Sequence, residues 1–108
     1  METKLEKKIS ELAELYQPYQ ELIDVEFFED FDQKLVEDYL TMLIDLKALL
    51  QKPIQKAYSQ FEQGEFLKPK PLIKLLFICN QIQNQIETIS LFAAEKFGMD
   101  NIFKNNEE

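Results

Sequence analysis

The sequence predicts an all-α protein, an antiparallel bundle of four to five helices broken by prolines. Three observations carry that expectation. Apolar residues recur every three or four positions along most of the chain, the spacing that gathers them on one side of a helix. Two Gly and four Pro in 108 residues are too few for a turn-rich β-sandwich or barrel. Leu, Glu, Lys and Gln, all good helix formers, are abundant. The length suits one domain, expected over residues 1–104 with a frayed tail at 105–108.

The first helix is expected to start at Thr3, which forms a capping box with Glu6. Leu5, Ile9, Leu12 and Tyr16 supply its apolar stripe. Pro18 ends or kinks it, because proline has no N–H for the preceding turn. A short helical piece is expected over residues 18–28, with Tyr19, Leu22, Ile23 and Phe27 inward. A second long helix is expected over residues 30–51, capped by Asp30 with Gln33. Phe31, Leu35, Tyr39, Met42, Leu43, Leu46, Leu49 and Leu50 would form its apolar face. Pro53 is expected to kink or restart the helix, and Ile54, Ala57, Tyr58 and Phe61 continue the pattern to Gly64.

Residues 64–70 read as the one clear loop. Pro71 suits the first position of a last long helix. Leu72, Leu75, Leu76, Ile78, Cys79, Ile82, Ile86, Ile89, Phe92, Ala93 and Phe97 would be its buried side, and Gly98 suits a left-handed stop. Residues 99–103 are expected to add a final turn.

Composition narrows the function classes. Net charge is −8, from 20 acids and 12 lysines, with no Arg and no His. Both the sign and the missing Arg speak against direct nucleic-acid binding. Without His there is no Ser-His-Asp or Cys-His pairing, and two isolated glycines make no phosphate loop. The single cysteine, Cys79, rules out an internal disulfide and a zinc knuckle. It fits a reducing, cytoplasmic setting. The longest apolar run, residues 75–79, is far short of a bilayer span, so no membrane association is expected. No cofactor and no metal centre is expected.

Two patterns carry the remaining functional signal. Glu11-x-x-Glu14, followed after 14 residues by Glu29-x-x-Asp32, resembles the magnesium-binding signature of the all-α nucleotide pyrophosphohydrolases. The resemblance spans about 22 residues and implies a metal-dependent hydrolase using those carboxylates. The sequence departs from that pattern at Ser10, where the family has a further Glu. It departs again at Glu29 and Asp32, which sit at an expected helix start rather than within a helix.

The second pattern is the acidic-aromatic cluster Glu26, Phe27, Phe28, Glu29, Asp30, Phe31 and Asp32. Two of its phenylalanines could plug the bundle end while the acids face water. Exposed, they would instead form an aromatic anchor ringed by charge, the anatomy of a protein interface.

Charge is also segregated. Residues 1–45 carry 13 acids and 4 lysines, whereas residues 46–104 carry 5 acids and 8 lysines. The halves are expected either to pair across the bundle or to leave an acidic face for a basic partner. Lys68 and Lys70, near a helix start, invite compensation by an acid from elsewhere or by an anion. Asn80, Gln81, Gln83, Asn84 and Gln85 read as a solvent-exposed amide face, or as a contact with a partner or a second copy.

These features favour a non-catalytic protein-binding module: an adaptor, a chaperone or a small subunit of a complex. The partner would be another protein with a basic surface, and a homodimer is compatible. The alternative is a small acidic inhibitor or immunity protein, of the kind phages encode, that antagonises a nucleic-acid-binding enzyme.

Overall fold

A computed structural model describes residues 3–64 and 69–98. It is all-helical, with no strand among the described residues. The described residues form three α-helices rather than four or five: α1 (Lys4–Leu15), α2 (Gln33–Glu62) and α3 (Pro69–Phe97). Two short 3-10 turns, Gln17–Gln20 and Val25–Phe28, join α1 to α2. The expected final turn at 99–103 and the tail at 105–108 lie outside the described residues.

Helix α1 starts as its capping box dictates. The Thr3 hydroxyl accepts from the Glu6 N–H at 3.1 Å, and the Glu6 carboxylate accepts from the Thr3 N–H at 2.9 Å. Ile9 and Ala13 are buried, and Leu5, Leu12 and Tyr16 pack against them. The helix ends at Leu15, and Pro18 falls in the following 3-10 turn.

The expected α-helical piece at 18–28 is replaced by the two 3-10 turns with extended backbone between them. The change of period changes the inward set. A 3-10 turn eclipses positions three apart, so Val25 and Phe28 share a side. Phe28 is therefore buried, while Leu22 and Phe27 are exposed. Tyr19 alone of the four expected residues packs clearly against the core.

Helix α2 starts two residues later than expected. Asp32, not Asp30, is its cap, and its carboxylate accepts from the Leu35 N–H at 2.8 Å. Pro53 does not break it: 30 residues run as one helix. An interior proline costs about 3 kcal/mol. Leu50 and Ile54, buried on either side of it, contribute roughly 3 to 6 kcal/mol together. Burial wins, and the helix stays whole. Leu35, Met42 and Leu49, expected inside, lie on the exposed side, and Val36 and Leu40 take the inward positions.

Helix α3 begins at Pro69, so Pro69 and Pro71 both fall in its first turn. N–H groups there have no intrahelical partner to lose. It ends at Phe97, and Gly98 adopts φ +67° while its N–H reaches the Ala94 carbonyl at 3.1 Å. That left-handed stop is the one expected from the sequence. Leu76, expected to be buried, lies at the exposed edge.

The core lies between α2 and α3, with α1 against both. One buried polar atom is unsatisfied among the described residues, the Ser90 hydroxyl. Replacing Ser90 by Ala should therefore stabilise the fold by about 1 kcal/mol, by removing a group that lost its water for nothing. A thermal melt should rise by roughly 4 °C or more. A lower midpoint would mean the hydroxyl is bonded.

Candidate partner-binding surface

The acidic-aromatic cluster forms the turn that leads into α2. Asp24 starts it by accepting from the Glu26 N–H at 3.1 Å, and Asp32 ends it as the α2 cap. The three phenylalanines separate. Phe28 is 0% exposed, and its ring centroid lies 5.2 Å from those of Phe27, Phe31 and Tyr39. Phe31 is half-buried against the core. Phe27 is 59% exposed and rests edge-on against Phe28 and Phe31. Glu26, Glu29, Asp30 and Asp32 are all exposed and lie within five residues of it in the same turn. Phe27 is thus a solvent-facing ring on a packed aromatic base, in a turn that carries four exposed acids.

Lys96 of α3 anchors this turn. Its ammonium donates to the Glu29 carbonyl and lies 5.5 Å and 5.4 Å from the ring centroids of Phe92 and Phe97. The bond is to backbone, so it leaves the Glu29 carboxylate facing water.

Across the helices, the described residues show no row of ion pairs between the acidic and basic parts of the chain. One ion pair, Lys34–Asp38 at 3.5 Å, lies within α2. Lys74 crosses to α1's end but donates to the neutral Gln17 side chain at 3.0 Å. At the start of α3, Glu14 shares a recess with Lys70 and Lys74, an acid from elsewhere next to that cationic turn. Lys68 lies outside the described residues.

The amide residues of α3 have a role that neither sequence expectation contained. Gln85 is 5% exposed. Its Oε1 accepts from the Ile23 N–H at 2.6 Å, and its Nε2 donates to the Ile23 carbonyl at 2.9 Å. Gln81 donates to the Gln20 carbonyl at 2.8 Å, and Asn84 donates to Gln81 at 3.1 Å. Residues between the two 3-10 turns make no regular backbone ladder, so α3 supplies their partners. The amides clamp the connecting segment and so fix where the aromatic turn emerges. Their spacing on one helix was visible in the sequence, but the backbone groups they serve were not.

Beside this clamp lies a cleft of about 400 Å³, lined by Tyr19, Ile23, Tyr39, Leu43 and Ile82 among others. Burial, with a smaller effect from Tyr19, raises the Tyr39 pKa above the ordinary tyrosine value. The folded state therefore holds that proton more tightly than the unfolded chain. Stability from this source is intact below about pH 10 and falls as pH rises beyond it. Replacing Tyr39 by Phe should flatten the alkaline fall in melting temperature. An unchanged profile would exclude Tyr39 as its source.

Burial likewise raises the Cys79 pKa, an effect that Lys47 partly offsets. The thiol is buried, which suits packing rather than reactivity.

The residues resembling a magnesium signature are not gathered into one. Glu11 and Glu14 lie on α1, Glu29 lies in the aromatic turn, and Asp32 is occupied as a helix cap. No group of three acids, Cys or His among the described residues is placed to hold a metal ion. No described helix is long and apolar enough to cross a membrane. The chain matches no known protein family, no curated protein and no solved structure.

Proposed function

We propose that this protein is a non-catalytic binding module that engages a basic protein surface through its acidic-aromatic turn. The observation that carries the reading is Phe27. A large ring held in water by a packed base, with Glu26, Glu29, Asp30 and Asp32 in the same turn, is costly to leave uncovered and ready to bury. Aromatic anchors ringed by polar groups are the energetic centres of many interfaces. The acids add steering toward positive charge.

The test is retention from the source-cell lysate at low salt. The wild type should hold a partner that the Phe27→Ser, Asp30→Lys double variant loses. A wild type that retains nothing, or a variant that retains the same partner, would sink the proposal. Salt separates an adaptor from an electrostatic inhibitor. Affinity that collapses between 0.05 and 0.5 M salt, roughly a threefold shortening of the screening length from ~14 to ~4 Å, points to the inhibitor. Affinity that survives points to burial of Phe27.

A further inference from the structure

Along the seam between α1 and α2 runs a groove of opposite character to the aromatic turn. Lys4 and Lys8 of α1 face Lys52 and Lys56 of α2 across a cavity of about 590 Å³. Leu5 and Pro53 line it too, and Gln55 and Gln60 are its other polar residues. A second recess of about 460 Å³ continues it past Leu12 and Leu49 to Asp45. Each lysine pair has the spacing of neighbours on one helix face. In a chain of net charge −8, four lysines thus share an apolar-floored groove whose acid, Asp45, stands at its far end.

We infer that this groove receives the acidic-aromatic turn of a second copy of the chain. The inference rests on the reading of that turn as a binding element, and it names the partner surface. Four acids in one turn with an exposed ring meet four lysines around an apolar floor. Each surface has what the other lacks. The two are also far apart on one molecule. The turn precedes α2, whereas the groove spans Asp45 to Gln60, which begins about 18 Å further along the helix at 1.5 Å per residue. A copy cannot fill its own groove, so the contact forms between two copies. The net negative charge of each copy opposes the contact, which makes the association weak and dependent on these two surfaces.

Sedimentation equilibrium of the full chain tests it. The wild type should self-associate with rising concentration, about tenfold more weakly at 0.5 M than at 0.05 M salt. Lys52→Glu with Lys56→Glu should abolish this, as should Glu29→Lys with Asp30→Lys. Mixing the two variants should restore association, because the unaltered turn of the lysine variant meets the unaltered groove of the turn variant. The four substitutions combined in one chain should restore self-association at low salt. All the altered side chains are exposed, so circular dichroism melts should stay near wild type. A wild type that is monomeric at millimolar concentration overturns the inference, and so does association that both variants retain. If the wild type is monomeric yet the lysine variant still holds a lysate partner through Phe27, this inference fails alone. If neither self-association nor partner survives, the reading of the turn fails with it.

Discussion

Phe28→Ala should cost about 3 to 5 kcal/mol, a large share of the roughly 5 to 15 kcal/mol that holds a domain of this kind folded. Phe28 has no exposed surface and touches three other aromatic rings, so truncation leaves a cavity rather than a collapsed site. Phe27→Ala, one residue away, should cost about 1 kcal/mol, because water already reaches most of that ring. The proposed binding function reverses the order. Phe27→Ala should abolish partner retention in a folded protein, whereas Phe28→Ala should weaken it only by unfolding the turn. Denaturant titration and lysate retention on the same two variants check both halves. Equal stability losses would show that the two rings are not divided between core and surface.

Gln85→Leu carries the second large effect, about 2 to 3 kcal/mol. It leaves the Ile23 N–H and carbonyl without their shared partner, and each unpaired group costs roughly 1 to 3 kcal/mol before water reaches it. The half-exposed position of Ile23 keeps the total toward the lower end. Gln85→Glu is the more informative change. A carboxylate can still accept from the Ile23 N–H, but it then faces the Ile23 carbonyl with no proton to donate. The neutral acid keeps both bonds, so the folded-state pKa of the new side chain rises above the ordinary value near ~4.3. The destabilisation is present above that raised pKa and fades as pH falls through it. Melting temperatures of the variant and wild type should converge in acid and part at neutral pH. A pH-independent gap would mean the amide does not bridge both backbone groups.

The same clamp links stability to the proposed function. Residues 21–24 have no backbone ladder of their own, and the aromatic turn follows directly after them. Loosening Gln85 should therefore enlarge the motion of Phe27 and weaken binding without touching any acid on the surface.

Much of the fold was readable from local chemistry. The Thr3–Glu6 box and the Gly98 stop each satisfy backbone groups within one turn, and Pro71 lacks only an N–H that a helix start leaves unpaired, so a short window of sequence suffices. Pro53 was not readable in that way. Its local cost is fixed, but the burial of Leu50 and Ile54 that outweighs it comes from residues distant in sequence. The segment at 18–28 misled for a related reason: its apolar residues fit a helical period, but the partners that Gln81 and Gln85 offer lie about 60 positions away.

By itself, then, the sequence determined that the protein is all-helical, where α1 and α3 lie, and that an acidic cluster holding three phenylalanines precedes α2. Only the tertiary structure decided which phenylalanine is core and which is surface. It also decided that Gln81 and Gln85 hold the connecting segment and that four lysines from two helices share one groove. Helix ends and apolar stripes are set within a few residues, whereas a side chain's exposure depends on what the rest of the chain places over it.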